Sequence, residues 1–168
     1  MSLIKKYLVP DYYLDDIYSI TPDFLSKLGI SALILDIDNT LVTYDDLLPT
    51  EPVLGWLRGL ENEGIKISFI SNNNEERVSH FNRDLGYFYK SKSKKPSRKM
   101  LVMAMDNMQS DSKSTAAIGD QIFTDIFAAK RLGLTAILVK PIKDKESSFF
   151  RFKRFFERII IRKYFKIS

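Results

Sequence analysis

Short apolar runs alternate along this chain with helix-like segments of roughly ten residues, and this alternation restricts the possible folds more than any other feature. The clearest apolar runs are "SALILDID" (31–38), "IKISFISN" (65–72), "STAAIGD" (114–120) and "LTAILVK" (134–140), with a shorter one at "YFYK" (87–90). Helical patterns cover 21–30, 50–64, 74–86, 95–108 and 124–133. Near-continuous apolar strands separated by helices are typical of parallel sheets covered on both faces. The sequence therefore predicts an α/β fold with a three-layer, Rossmann-like arrangement.

Composition narrows the chemistry that such a fold can perform. The chain has 168 residues, of which 45% are hydrophobic, and this suits a single domain spanning 1–168. It contains no cysteine and one histidine, His80, which lies in a polar helical stretch and is expected at the surface. Thiolate catalysis, multi-histidine zinc sites and a Ser-His-Asp triad are thus disfavoured. The absence of cysteine, a signal peptide or a long apolar stretch agrees with a cytoplasmic location.

Polar residues follow the predicted strands at the points where the strands end. Because the carboxyl ends of parallel strands share one edge of a sheet, these residues are expected to line a common rim. They are Asp36 and Asp38 after the first strand, Ser71 and Asn72 after the second, Asp120 and Asp125 after "AAIG", and Lys94 and Lys95 in a loop. Each alone could be a turn, a helix cap or a solvated loop. Their common position at one rim favours a functional site.

The chemistry available to this set is phosphoryl transfer. Asp36 and Asp120 offer hard oxygen ligands of the kind that Mg²⁺ prefers. One of the paired aspartates can act as a nucleophile and the other as a general acid and base. Ser71 and Lys95 can bind the transferring oxygens and the charge that develops on them.

Four ordered motifs of the chain resemble those of the haloacid dehalogenase-like (HAD) phosphohydrolases. They are "DIDNT" (36–40), "SN" (71–72), "KP" (95–96) and "GDQIFTD" (119–125), and together the resemblance spans about residues 31–140. The closing motif and "SNNNEERV" are most similar to the YqeG-type branch of subfamily IIIA. This resemblance implies a phosphatase that requires Mg²⁺ and works through an aspartyl-phosphate.

The resemblance also implies a role for each motif residue. Asp36 would attack phosphorus, Asp38 would protonate the leaving group and then activate water, and Lys95 would hold the phosphate and the nucleophile. Magnesium would be bound by Asp36, by Asp120 and by the main-chain carbonyl of Asp38. Phosphate contacts are expected from Ser71, Asn72, Lys95, Asn39 and Thr40, and support of the metal from Asp125. Lys94 is the weaker candidate for the lysine role, because the family's lysine directly precedes proline. The aspartate at position 38 favours phosphatase over dehalogenase chemistry.

The spacing between the motifs leaves no room for a sizeable cap domain. Asp36 and Ser71 are 35 residues apart, and Ser71 and Lys95 are 24 apart, so that one turn and one helix nearly fill each gap. Capless members of the family have open sites, which suit a phosphate carried on a protein, a nucleic acid end or a lipid headgroup.

The C-terminal segment, about residues 147–166, reads as a basic amphipathic helix. Residues 140–168 carry ten Lys/Arg and three Asp/Glu, whereas the rest of the chain has a small acidic excess. Two arcs follow from helical periodicity. The basic arc contains Arg151, Arg154, Arg158 and Arg162, and the apolar arc contains Phe149, Phe152, Phe156, Ile159, Ile160 and Tyr164. The apolar arc could pack on the domain and leave the arginines in water, or it could contact an anionic membrane, and the two can coexist. Truncation before Ser147 is expected to spare a small soluble substrate and to impair a liposome-borne one, whereas equal loss on both would mean that the segment is part of the core.

The preferred substrate is phosphatidylglycerophosphate, because the YqeG-type branch is similar to phosphatidylglycerophosphatases. The product would be phosphatidylglycerol, and the enzyme could act as a peripheral protein at the inner face of the membrane. A nucleotide, a nucleic acid end or a phosphoprotein is the alternative substrate, with nucleic acid not favoured because only the charge points to it. A non-catalytic scaffold of the same fold is disfavoured by the intact aspartates, and a homo-oligomer stays open.

Overall fold

Six short strands form one parallel sheet in the computed structural model of the chain, which describes residues 2–143 and 148–165. The strands are β1 (Tyr12–Leu14), β2 (Ala32–Leu35), β3 (Lys66–Ile70), β4 (Phe88–Lys90), β5 (Thr115–Gly119) and β6 (Thr135–Val139). Their spatial order is β1-β6-β5-β2-β3-β4, and all five neighbouring pairs are parallel. β2 therefore lies in the interior of the sheet, between β5 and β3.

Helices connect the strands and cover both faces of the sheet. They are α1 (Leu3–Leu8), α2 (Pro22–Lys27), α3 (Glu51–Asn62), α4 (Glu75–Asn82), α5 (Lys99–Met108), α6 (Phe127–Leu132) and α7 (Ser148–Phe165). A 3₁₀ turn (Ile17–Ser19) precedes α2, and a π-helical turn (Ile122–Ile126) leads into α6. Thr21 begins α2 as its N-cap, accepting a hydrogen bond from the Phe24 amide at 3.2 Å.

Two buried clusters, one on each face of the sheet, hold the layers together. Along β2, Leu33 and Leu35 belong to one cluster and Ala32 and Ile34 to the other, as alternation along a strand requires. The first cluster contains residues of α2, α3 and α4, and the second contains residues of α5, α6 and α7. The predicted three-layer α/β fold is thus confirmed.

The N-terminal part of the chain adds elements that the sequence patterns did not predict. β1 pairs in parallel with β6 at the edge of the sheet, with Tyr12 opposite Ile137. Asp11 fixes this edge, because its carboxylate accepts hydrogen bonds from the Ala136 amide at 2.8 Å and from Lys130 Nζ at 2.6 Å. A strand of three residues is too short to show a period-2 pattern, and its partner lies more than 120 residues away.

Two predicted helix starts also differ from the structure. The helix predicted over 95–108 begins at Lys99, since Lys95 is occupied by contacts described below. The helix predicted over 124–133 begins two residues earlier, as the π-helical turn.

α7 packs on the domain, with Ile160 buried in the second cluster and Ile161 and Tyr164 against it. The ends of the predicted C-terminal segment, residues 147 and 166, and the side chain of Phe149 lie outside the described residues. Among the helices that the structure describes, none has the length and apolarity needed to cross a membrane.

Candidate active site

The sheet order brings the predicted strand-end residues to one rim. Asp36 follows β2, and its amide donates to the Ile118 carbonyl of β5 at 3.0 Å, so Asp36 and Asp120 emerge from adjacent strands. Ser71 emerges from β3 on the other side of β2. A pocket of about 290 Å³ opens at this rim, lined by Asp36, Asp38, Tyr44, Ser71, Asn72, Asn73, Lys95, Gln121, Thr124 and Asp125.

Lys95 lies at the centre of the site and is buried. Its Nζ is 2.7 Å from each of three oxygens: Oδ1 of Asp36, Oδ1 of Asp125 and the carbonyl of Ile70. Lys94, by contrast, is exposed and adopts a left-handed backbone conformation with φ of 54°. The geometry thus favours Lys95 over Lys94 for contact with a bound phosphate.

Burial controls the electrostatics of this cluster. Loss of solvent, together with the nearby Asp125 and Asp120 carboxylates, raises the pKa of Asp36 to about 8 against the opposing effect of Lys95. Burial opposes the charged form of Lys95, but Asp125 and Asp36 outweigh this effect and raise its pKa. Lys95 is paired with two carboxylates at once, those of Asp36 and Asp125, so full ionisation of Asp36 calls for further positive charge in the site.

The acidic cluster fits a divalent cation. Carboxylate oxygens of Asp36, Asp120 and Asp125 lie within 4.8 Å of one another. Asp120 Oδ1 is buried and has no hydrogen-bond partner among the described residues, as expected of an atom that awaits a ligand. Both oxygens of Asp125 are engaged, Oδ1 by Lys95 at 2.7 Å and Oδ2 by the Gln121 amide at 3.1 Å. Asp120 Oδ1 is therefore the oxygen most available to a cation, followed by Asp36 Oδ2, which Thr40 Oγ1 approaches only to 3.4 Å, and Asp125 lies beside them.

Asp38 faces a different set of partners. Its Oδ1 lies 3.0 Å from Arg77 Nη2 and 3.1 Å from Arg77 Nε, and its Oδ2 accepts from Asn73 Nδ2 at 2.9 Å. Both partners belong to "SNNNEERV" (71–78), with Asn73 in the loop before α4 and Arg77 within α4. Arg77 also donates to the Leu47 carbonyl at 3.0 Å, so it fixes Asp38 and the loop after β2 together. Arg77, Asn73 and Tyr44 belong to the site although no sequence motif predicted a role for them.

The remaining predicted phosphate-binding residues hold the loops of the site, with Thr40 and Ser71 buried and Asn72 exposed. Thr40 Oγ1 lies 3.4 Å from Asp36 Oδ2, and Ser71 Oγ accepts from the Asn73 amide at 3.0 Å. Asn72 holds Lys95, since its Oδ1 accepts from the Lys95 amide at 2.7 Å and its Nδ2 donates to the Lys95 carbonyl at 3.3 Å.

Asn39 joins two loops of the site. It has a left-handed backbone with φ of 69°, and its Nδ2 lies 3.4 Å from Asp120 Oδ2. Its Oδ1 accepts from the Lys143 amide at 2.8 Å. With its side chain used on both sides, Asn39 contributes to the architecture of the site rather than to the pocket wall.

α7 holds three consecutive residues of the loop after β5. Arg154 forms an ion pair with the Asp120 carboxylate and donates to the Asp120 carbonyl. Lys153 Nζ donates to Gln121 Oε1 at 2.6 Å, and Glu157, itself 2.9 Å from Arg154, accepts from the Ile122 amide at 2.8 Å. We call this set (Lys153, Arg154 and Glu157) the α7 clamp.

Packing of α7 leaves Arg151, Arg158 and Arg162 exposed, as the packing alternative predicted, and the α7 clamp corrects that expectation for Arg154. Arg154 points inward and its side chain is only 13% exposed, whereas Phe152, Phe156 and Ile159 of the predicted apolar arc face solvent. The buried Asp120 carboxylate explains the inward position of Arg154. Leaving a buried carboxylate without a cationic partner costs more free energy than leaving a phenyl ring exposed.

Gly119 makes room for Asp125. A Cβ at position 119 would overlap the Cβ and Cγ of Asp125, so an alanine must displace a side chain that holds Lys95. We expect Gly119→Ala to destabilise the protein by about 1–3 kcal/mol and to lower turnover by about a hundredfold. Urea unfolding and hydrolysis of para-nitrophenyl phosphate measure the two effects.

Gly55→Ala is the matched control, since a Cβ there meets nothing within 4 Å and the residue lies inside α3. It should leave turnover unchanged and raise stability slightly. Normal turnover in Gly119→Ala would show that the position of Asp125 is not critical.

Comparison with known proteins identifies the family. The HAD-hydrolase-like family model matches residues 93–147. The chain is 36% identical over 159 residues to the Bacillus subtilis (strain 168) protein named "Probable phosphatase YqeG", covering 95% of this chain and 92% of that one. The chain belongs to the YqeG-type HAD-like hydrolases. It is accordingly a HAD-type phosphatase, as the motifs predicted.

Solved structures share the HAD-like fold at low sequence identity. A HAD superfamily (subfamily III A) hydrolase from Legionella pneumophila matches with a TM-score of 0.54 and 18% identity, covering 85% of this chain and 94% of that one. The cobalt-bound deoxy-D-mannose-octulosonate 8-phosphate phosphatase (YrbI) from Haemophilus influenzae matches with a TM-score of 0.52 and 16% identity, covering 81% and 90%. These likenesses confirm the HAD-like fold.

Proposed function

We propose that this HAD-type phosphatase is a Mg²⁺-dependent phosphomonoesterase that forms an aspartyl-phosphate on Asp36 and converts phosphatidylglycerophosphate to phosphatidylglycerol and phosphate. The observation that carries the proposal is the placement of Asp36. Its carboxylate is held by Lys95 at 2.7 Å, belongs to the acidic cluster with Asp120, and lines a pocket that Asp38 also lines.

In the first half-reaction Asp36 is the nucleophile. A carboxylate oxygen of Asp36 bonds to phosphorus, the bond from phosphorus to the ester oxygen breaks, and Asp38 gives its proton to the leaving alcohol. Ser71 and Lys95 bind the phosphoryl oxygens, on which negative charge develops.

In the second half-reaction Asp38 works as a base. It takes a proton from a water molecule, the water oxygen bonds to phosphorus, and the bond to Asp36 breaks, which releases phosphate and restores both carboxyl groups. Arg77 and Asn73 keep Asp38 in place throughout, since both contact its carboxylate.

Asp36, Asp120 and the main-chain carbonyl of Asp38 would hold magnesium, which would supply the positive charge that lets the Asp36 carboxylate approach an anionic phosphate. The unpartnered Asp120 Oδ1 and the raised pKa of Asp36 support a cation at this point. Oxygen ligands alone favour magnesium over zinc, and the cobalt in the Haemophilus influenzae structure supports a divalent ion.

A lipid substrate is supported by the openness of the site. Within the described residues, the only helix and strand between Asp36 and Ser71 are α3 and β3, and those between Ser71 and Lys95 are α4 and the short β4. No inserted domain in these segments stands between the pocket and a large substrate. The location that suits this function is the cytoplasm, at the inner face of the membrane.

Phosphate release from phosphatidylglycerophosphate in anionic liposomes, measured beside para-nitrophenyl phosphate, tests the proposal. We expect release from both, an at least hundredfold loss when EDTA removes the metal, and recovery with excess Mg²⁺. Activity that EDTA leaves unchanged would refute the metal requirement. Release from the small ester alone would refute the lipid substrate and direct attention to nucleotides, nucleic acid ends and phosphoproteins.

A further inference from the structure

α7 has two faces with opposite surroundings. Its inner face carries the α7 clamp and the packed residues Ile160 and Tyr164. Its outer face presents apolar side chains to solvent, with exposed fractions of 64% for Phe152, 59% for Phe155, 42% for Phe156 and 47% for Ile159. We call these four residues, with the exposed Arg151, Arg162 and Lys163, the outer face of α7.

The aromatic residues of the outer face form a contiguous patch. Phe156 contacts Phe152 with ring centroids 4.9 Å apart and Phe155 with centroids 5.5 Å apart. Single exposed apolar residues are ordinary on protein surfaces, but three rings clustered in water on one helix are not. A patch of this kind marks a surface that becomes covered.

The charged residues of the outer face indicate what kind of surface covers the aromatic patch. Glu157 is the only acidic residue in α7, and it is buried against the π-helical turn, so the outer face combines apolar and cationic groups without an anion. A second copy of the chain would place like charges against each other. An anionic bilayer accepts both components, since the rings enter the boundary of the acyl chains and the cations meet the headgroups.

We propose that the outer face of α7 docks on an anionic lipid bilayer. The proposal deepens the function given above and rests on it for its purpose, because the same helix that meets the lipid holds the Asp120–Ile122 loop on its other side. The Asp120–Ile122 loop would then lie about one helix diameter, roughly 10 Å, from the headgroups. Docking would hold the enzyme at the surface that carries its lipid substrate.

Co-sedimentation of the full chain with vesicles tests the docking. We expect binding to vesicles of phosphatidylcholine mixed with phosphatidylglycerol, weaker binding to phosphatidylcholine alone, and further weakening by salt. The double variant Phe152→Ser, Phe155→Ser should bind anionic vesicles at least about tenfold less, because each ring loses its apolar burial.

The matched control is Val102→Ser, Met103→Ser, which removes two apolar residues exposed on α5. This control should bind vesicles as the unchanged chain does. Failure of the unchanged chain to bind anionic vesicles, or equal binding by the Phe152/Phe155 variant, would overturn the proposal. A concentration-dependent dimer that this variant abolishes, without vesicle binding, would assign the patch to self-association instead.

Two measurements separate this proposal from the proposed function. The Phe152/Phe155 variant should hydrolyse para-nitrophenyl phosphate at the normal rate, and Asp36→Asn should bind vesicles normally. Hydrolysis of the small ester without vesicle binding would refute only the docking. Vesicle binding without magnesium-dependent hydrolysis of either substrate would refute only the function.

Discussion

Replacement of Asp36 by asparagine should lower phosphate release by at least about a thousandfold for every substrate, because it removes the proposed nucleophile and leaves the rest of the site in place. Asparagine has nearly the volume of aspartate and still offers Lys95 an oxygen. Lys95 also keeps its contacts to Asp125 and the Ile70 carbonyl, both at 2.7 Å. We therefore expect the folded structure to be retained, as measured by circular dichroism and thermal unfolding.

A control variant and direct detection of the aspartyl-phosphate intermediate complete this test. Asp84→Asn changes an exposed aspartate that pairs only with its neighbour Arg83 among the described residues, and it should be fully active. Brief incubation with a ³²P-labelled phosphomonoester, followed by acid quenching, should label the unchanged protein and not Asp36→Asn. If Asp36→Asn keeps most of its activity, the aspartyl-phosphate mechanism is wrong.

Removal of the Arg154 side chain should raise the Mg²⁺ concentration needed for half-maximal activity by about ten- to a hundredfold. Arg154 orients Asp120, and loss of a partner that orients a ligand typically weakens metal binding by this factor. Arg154→Met keeps the apolar stem of the side chain and deletes the ion pair with Asp120 and the contact to Glu157. Titration of the metal-free protein with Mg²⁺ by calorimetry measures the affinity independently of turnover.

The variant series gives this prediction its controls. Arg154→Lys keeps the charge and should recover part of the affinity, whereas Arg151→Ala, exposed on the same helix, should bind Mg²⁺ normally. Tighter Mg²⁺ binding by Arg154→Met would mean that Arg154 competes with the metal for Asp120. The expectation for deletion from Ser147 onward changes accordingly. Deletion removes the α7 clamp, so hydrolysis of small soluble esters should fall along with hydrolysis of lipid.

Sequence patterns predicted the fold class because each strand of the interior carries its own apolar signal. They also brought Asp36, Ser71 and Asp120 to one rim, since parallel strands in a sheet end on the same side. The partners of these residues were not predictable in this way. Arg77 meets Asp38 from 39 residues away, and Arg154 meets Asp120 from 34 residues away. No local period encodes such a pair.

α7 illustrates the limit of amphipathicity as a guide to orientation. Helical periodicity separated a basic arc from an apolar arc but did not reveal which arc faces the protein. The orientation of the helix depends on the surface beneath it, which here contains the buried carboxylate of Asp120 and the backbone amide of Ile122. The charged residues Arg154 and Glu157 meet those groups, and the rings are left outside.

The α7 clamp also determines when the candidate site can be completed during synthesis of the chain. A ribosome makes Arg154 34 residues after Asp120, and makes the β6 partner Ile137 long after the β1 residue Tyr12. A growing chain that already contains every motif residue therefore lacks both an edge of its sheet and the contacts that hold the Asp120–Ile122 loop. The α7 clamp is thus the last part of the candidate site to be synthesised.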